Sequence, residues 1–194
     1  GFDVNNPVCI TYPSVFDNSN YPSPAAATWI WDFGDGSPTV TSTTPGMTHL
    51  YGAYGSYDVI LTVTDADGCV GVDTTTVFVR PQPEADFTWS DVCFGFGMSF
   101  NDNTNYNVDP PISGSASLWS WDFGDGVGTA TSSTHIYNYN AAGVYSASLL
   151  VTDIHGCVDS VTHDVEVWPL PAPGFDVNNP VCITYPSVFD NSNY

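Results

Sequence analysis

The chain has 194 residues, and its 21 aspartates and glutamates face a single basic residue, Arg80, for a net charge of −20. So few cations exclude nucleic-acid binding, which needs Lys and Arg to neutralise phosphates, and an anionic bilayer surface would repel the chain. The acids are scattered rather than blocked, aromatic and β-branched residues are frequent, and Lys, Arg, Glu and Gln are scarce, so the composition favours a folded all-β chain.

Gly1–Val4 and Val8–Asp17 read as the first two strands, with Pro7 and Pro13 confining them to edges or strand starts. Asn18–Ala27, rich in Pro, Asn and Ser, reads as a loop. Thr28–Phe33 is the central strand, with Trp29, Trp31 and Phe33 on one side because side chains alternate at period 2. Gly34-Asp35-Gly36 then turns the chain, Gly supplying the positive φ that a tight reversal needs. Ser37–Gly46 is polar and loop-like, with room for one short edge strand, and Thr48–Tyr51 is another short strand. Tyr57, Val59, Leu61 and Val63 alternate with polar or outward positions, giving a half-buried strand. It ends in the turn Asp65-Ala66-Asp67-Gly68. Cys69–Arg80 closes the domain, with Thr75, Val77 and Val79 inward.

Arg80-Pro81-Gln82-Pro83 reads as a short, stiff linker because alternating prolines fix φ. The same order then returns: Ala85–Trp89, Phe96–Asp102, Leu118–Phe123, Thr134–Tyr137, Val144–Asp153 and Cys157–Trp168. The loop Asn103–Ser117 is longer than its counterpart. Trp168-Pro169-Leu170-Pro171-Ala172-Pro173 is a second linker of the same kind. The domains are expected at 1–82 and 83–172. Gly174–Tyr194 repeats Gly1–Tyr21 letter for letter, a period of 173 residues, so 173–194 opens the next unit. Surface and loop positions match as well as core ones, which folding alone does not demand. The parent is expected to be a longer array of near-identical domain pairs.

The order Trp29-x-Trp31-Asp32-Phe33-Gly34-Asp35-Gly36, then Thr48-His49-Leu50-Tyr51, then a G-x-Y strand ending in V-T-D, resembles the PKD domain. It recurs as Trp119 to Gly126, Thr134-His135-Ile136-Tyr137 and Gly143 to Asp153. The resemblance implies two tandem immunoglobulin-like β-sandwiches plus the first strands of a third. It also implies an extracellular binding or spacer role, since such domains occur in cell-surface proteins, as accessories of secreted hydrolases, and in giant repetitive adhesins of gliding bacteria.

The five cysteines fall at matching places in the repeat: Cys9 and Cys182 before the second strand, Cys93 likewise, and Cys69 and Cys157 after the Asp-x-x-Gly turn. Of the three pairings that four cysteines allow, the repeat favours disulfides Cys9–Cys69 and Cys93–Cys157, with the partner of Cys182 beyond the chain end. Each would close a loop of about 60 residues, worth roughly 4 kcal/mol in the chain-entropy model. Such bonds point to an oxidising, extracytoplasmic space. No C-x-x-C spacing supports a metal site instead.

Asp32 with Asp35, and Asp122 with Asp125, sit at a strand end and turn, where Asp caps its own backbone, so they do not read as catalytic carboxylates facing across a cleft. Because some PKD domains carry calcium, these four are the calcium candidates that the resemblance implies, although no D-x-D-x-D-G loop is present. His49 and His135 read as equivalent packing residues, and neither His155 nor His163 has a triad partner at readable spacing. No helix follows Gly34 or Gly36, so no phosphate loop exists. Catalysis is therefore not expected. Tyr51, Tyr54, Tyr57, Tyr137, Tyr139 and Tyr145 read as core and corner residues, with a sugar-stacking platform as the alternative. Asp73-Thr74-Thr75 and Asp159-Ser160-Val161 resemble the D-[ST] acceptor of bacterial O-glycosylation, which marks Thr74 and Ser160.

The reading that results is a segment of an acidic, extracellular, cell-surface filament or stalk, a repetitive adhesin with a mechanical role. The alternative is a carbohydrate- or calcium-binding accessory of a secreted hydrolase. Expected partners are further copies of the repeat in one chain, with lateral self-association and a surface or glycan ligand as open classes. No apolar run approaches the roughly 20 residues that span a bilayer, so no membrane insertion is expected here. One 173-residue unit should extend on the order of 70–80 Å, from strands of about 6–10 residues.

Overall fold

Period-2 alternation is the signal that shapes every long element. The computed structural model describes residues 1–20, 28–106, 116–174, 176–177 and 189–190, and these form strands, turns and connections without a helix among them. The fold is two tandem immunoglobulin-like β-sandwiches.

In the first sandwich, one sheet holds β1 (Asp3–Val4), β3 (Ser14–Asp17) and β6 (Gly46–His49), ordered β1-β3-β6. The facing sheet holds β2 (Val8–Cys9), β4 (Thr28–Asp32), β5 (Val40–Ser42), β7 (Gly55–Thr64) and β8 (Val70–Arg80), ordered β2-β8-β7-β4-β5. The expected single strand Val8–Asp17 is therefore two strands in opposite sheets. Val8 and Cys9 pair parallel with Val79 and Arg80, after which Pro13 falls in the crossing to β3. A short parallel strand laid on the last strand satisfies the exit end of β8, as when Arg80 O accepts the Ile10 amide at 2.9 Å.

The inward positions are those that alternation marks. Trp29, Trp31, Phe33, Val59, Leu61, Val77 and Val79 are all buried with Phe2, Phe16 and Tyr51 in one core, and Thr75 lies half-buried beside them. Phe2 meets Trp31 edge-on at 5.1 Å and Phe16 packs on Phe33 at 5.3 Å, arrangements that the aromatic quadrupole favours.

The second sandwich repeats the plan. β9 (Phe87–Trp89), β11 (Met98–Asp102) and β14 (Thr134–Tyr137) form one sheet. β10 (Val92–Cys93), β12 (Ala116–Asp122), β13 (Thr129–Ala130), β15 (Gly143–Asp153) and β16 (Val158–Trp168) form the other, ordered β10-β16-β15-β12-β13. Its core of Phe87, Phe100, Trp121, Phe123, Leu149, Val151, Val165 and neighbours is separate from the first. β17 (Asp176–Val177) pairs with β18 (Phe189–Asp190). Its register, Asp176 on Asp190 and Val177 on Phe189, is that of Asp3 on Asp17 and Val4 on Phe16 one period earlier. Most of the loop expected at Asn103–Ser117 lies outside the described residues, as does Cys182.

Candidate functional site

Each sandwich carries an Asp-capped turn at one end of its central strand. Asp32 Oδ1 accepts the Gly34 amide at 3.0 Å, and Asp122 Oδ1 accepts that of Gly124 at 2.9 Å. Asp35 Oδ1 accepts the Ser37 amide at 3.0 Å, and His49 Nε2 donates to its Oδ2 at 2.8 Å. In the second sandwich Asp125 Oδ1 accepts the amides of Val127 and Gly128, and Tyr137 donates its hydroxyl to Oδ2 at 2.5 Å. Partial burial works against the charge of Asp35, but the Ser37 and His49 hydrogen bonds overcome it and hold the carboxyl down to about 2. The Tyr137 hydroxyl likewise lowers Asp125, and its own phenol is pushed up to about 12 by that carboxylate. Asp32 and Asp122 thus each cap a turn amide with one oxygen, while Asp35 and Asp125 use one oxygen on the turn and the other on a ring from the neighbouring sheet. No group of three or more His, Cys, Asp or Glu that could hold a metal occurs among the described residues.

These contacts correct one equivalence. His49, not His135, is the counterpart of Tyr137: His49 stacks on Phe33 at 3.9 Å and Tyr137 on Phe123 at 4.1 Å, each reaching the turn Asp with its polar tip. His135 instead pairs with Phe100, as Met47 pairs with Phe16. The connection from turn to strand is two residues shorter in the second sandwich, so the two T-H-x-Y runs are out of phase by one pleat. His163 packs against Phe87 and Trp89 and bonds Asp86 Oδ1 at 3.1 Å, while the His155 amide caps Asp153 in a turn. The tyrosines take core and corner places. Tyr51 and Tyr139 are buried and donate to Phe33 O and Phe123 O, and Tyr57 and Tyr145 stack on them, while Tyr54 is exposed. Thr74 and Ser160 both lie exposed on last strands.

The feature with mechanical consequence is the joint between the sandwiches. Cys9 and Cys157 form a disulfide with Cα atoms 5.6 Å apart, across a sequence separation of 148. Cys69 is an exposed free thiol and Cys93 a half-buried one. The expected bonds Cys9–Cys69 and Cys93–Cys157 are thereby corrected. β2 lies parallel on β8 and meets its exit, so Cys9 sits beside Arg80, whereas Cys69 precedes the entrance of the same 11-residue strand. Those two ends are about 35 Å apart, and a disulfide tolerates Cα separations of no more than about 7 Å. The same holds for Cys93, beside Trp168, and Cys157, ahead of β16. Repetition identifies equivalent cysteines but not their partners, because the strand direction puts the two cysteines of each sandwich at opposite ends.

Cys157 is held by its turn. Asp153 Oδ1 accepts the Cys157 and His155 amides, both at 2.8 Å, and Gly156 takes a φ of +85°. The bond joins the exit end of the first sandwich to the turn end of the second, and both of its cysteines are buried. Gln82, between the linker prolines, adds a hydrogen bond from Nε2 to Val158 O at 3.0 Å. The linker, the disulfide and this bond together limit how the second domain can swing on the first.

A family model described as the PKD domain matches residues 3–79 and again residues 81–168. Over 70 residues the chain is 46% identical to a microbial collagenase of Vibrio alginolyticus, covering 36% of this chain and 8% of that protein. Over 53 residues it is 42% identical to polycystin-1 of Homo sapiens, covering 27% of this chain and 1% of that protein. The chain therefore spans less than a tenth of the length of these relatives. Among solved structures it is similar to the PKD1 domain of Vibrio anguillarum Epp, at 26% identity and a TM-score of 0.39 over 47% of this chain and 99% of that one.

Proposed function

The chain belongs to the PKD domain family, as two members in tandem, and from that premise we propose that it is a segment of a long extracellular filament or stalk, the mechanical spacer of a surface adhesin. The observation that carries this reading is the letter-for-letter return of Gly1–Tyr21 at Gly174–Tyr194, a 173-residue period that contains both domains. A disulfide across the joint supports it, because a spacer must hold its direction under load, and such bonds persist in oxidising extracytoplasmic space. The dispersed acids keep neighbouring edge strands apart by repulsion. Thr74 and Ser160, both exposed, would carry glycans on this reading. The test is the flanking gene sequence together with electron microscopy of the native protein. Many adjoining 173-residue copies and an axial repeat on the order of 70–80 Å are expected; a rod without that repeat would sink the proposal.

One observation favours a second reading. The matched relatives include collagenases of Vibrio alginolyticus and Bacillus cereus. On that reading the domains serve a secreted hydrolase, binding carbohydrate or taking calcium at Asp32, Asp35, Asp122 and Asp125. A catalytic domain beside a few copies in the gene, and a melting temperature that falls on adding a chelator, are its expected signs.

A further inference from the structure

The joint disulfide is built from two parts, and each part occurs twice. The first is a cysteine on the short strand laid parallel on the last strand's exit. Cys9 is opposite Arg80 and Cys93 opposite Trp168. The backbone around them is the same: Tyr12 N donates to Cys9 O and Phe96 N to Cys93 O, while Ile10 N donates to Arg80 O and Phe94 N to Trp168 O. The second part is a cysteine leaving an Asp-x-x-Gly turn. Asp65 N donates to Cys69 O at 3.0 Å and Cys69 N to Asp65 Oδ1 at 2.8 Å; Asp153 and Cys157 repeat this at 2.9 and 2.8 Å. Gly68 and Gly156 share the left-handed turn, with φ of +81° and +85°. One copy of each part meets at the joint as Cys9–Cys157, and the other two are thiols at the outer ends.

We propose that Cys93 of one period forms a disulfide with Cys69 of the following period, so that every joint of the array carries the same staple. This rests on the tandem-array reading above. The linkers allow it. Phe87, the first core residue of the second sandwich, follows Arg80 by seven residues, and Phe175, which repeats Phe2, follows Trp168 by seven. Both linkers begin X-Pro-x-Pro, so the second joint has the reach and stiffness of the first. It also has more need of a covalent tie, because Leu170, which has no side-chain donor, stands where Gln82 donates across the first joint. Within one period Cys69 and Cys93 lie at opposite ends of two sandwiches, on the order of 70 Å apart by strand length, so they can meet only between successive units or separate chains.

The chemistry is thiol–disulfide exchange with a protein or small-molecule disulfide as oxidant. The exposed Cys69 thiolate attacks the oxidant's S–S bond, giving a mixed disulfide and one oxidant thiolate. Cys93 of the preceding unit then attacks the Cys69 sulfur, forming the Cys93–Cys69 bond and expelling the second oxidant thiolate. The two cysteine protons pass to those thiolates, and two electrons reduce the oxidant to its dithiol.

The test is non-reducing peptide mapping of the parent protein after alkylation, using an aspartate-specific protease because the one basic residue, Arg80, precedes Pro81 and trypsin does not cut there. A linked peptide pair carrying Cys93 and Cys69, with neither residue alkylated, is expected. Alkylated Cys93 and Cys69 in a protein whose gene shows adjoining copies overturns the staple and leaves the array standing; a gene without adjoining copies removes both. A mass ladder that collapses on reduction puts the bond between chains and also overturns the assignment. As a second measurement, Cys93→Ser in one unit should release one new alkylatable thiol, at Cys69 of the following unit; a Cys69 that stays blocked refutes the pairing.

Discussion

Gly34 carries a φ of +72°, and a Cβ built there would lie 2.5 Å from the backbone oxygen of Asp58. Gly36, two residues on, has a φ of +82° but open space around it. Gly34→Ala should therefore cost about 2–3 kcal/mol, strain plus a backbone clash, and Gly36→Ala about 1 kcal/mol, strain alone. Urea melts of the two variants check this, and equal losses would mean the close approach at Gly34 is unimportant. Asp35 gives the second residue-scale prediction. Its folded carboxyl titrates near 2, below the ordinary carboxylate value, so the stability it supplies is complete above about pH 4 and lost as pH falls toward 2. The melting temperature should drop across that window, and Asp35→Asn should flatten the drop. The sequence reveals the turn and its Asp pair here, but not the ring that reaches Asp35. His49 and Tyr137 are different residues in the same role, and only the sheet register aligns them.

At the scale of elements, alternation identifies the central strand, the long hairpin and the buried aromatics without further help. What it misses is β2. Two residues are too few for a period, and Val8–Cys9 reads as the start of the following strand. Its parallel seat on β8 comes from burying Val8 and satisfying the exit backbone, both long-range effects. That seat decides where Cys9 points. Because the two cores are separate, Cys9→Ser should leave both sandwiches folded, with melting changed by no more than about 1–2 kcal/mol per domain. The joint should loosen instead. Small-angle scattering is expected to show a broader range of interdomain distances in the variant, and identical curves would mean that the linker and Gln82 hold the joint unaided.

For the whole molecule, the staple reroutes force. When the chain is pulled by its ends with Cys9 bonded to Cys157, residues 10–156 lie off the load path. Their unfolding cannot lengthen the chain. Reduction returns a separation of 148 residues to the path, roughly 500 Å at 3.3–3.6 Å per residue. Single-molecule pulling should show no such release in oxidised protein and the full release, in one or two steps, after adding reductant. In an array, Cys182 repeats Cys9, and 25 residues separate Cys157 from it, a taut length of about 80–90 Å. That is close to the folded length of on the order of 70–80 Å per unit, so on the proposed filament reading an oxidised array would behave as an almost inextensible cord.

The long strands, the two-domain repeat, the buried faces and the turn chemistry are legible in the residues alone, because alternation, glycine and capping aspartates act over a few residues. The residues also mark the cysteines as a repeating set. Which cysteine meets which depends on how the strands run in space. Strand direction puts the two cysteines of each sandwich at opposite ends, and the linker brings one domain's exit to the next domain's turn. Spacing along a chain carries no record of direction in space, and a bond between domains depends on nothing else.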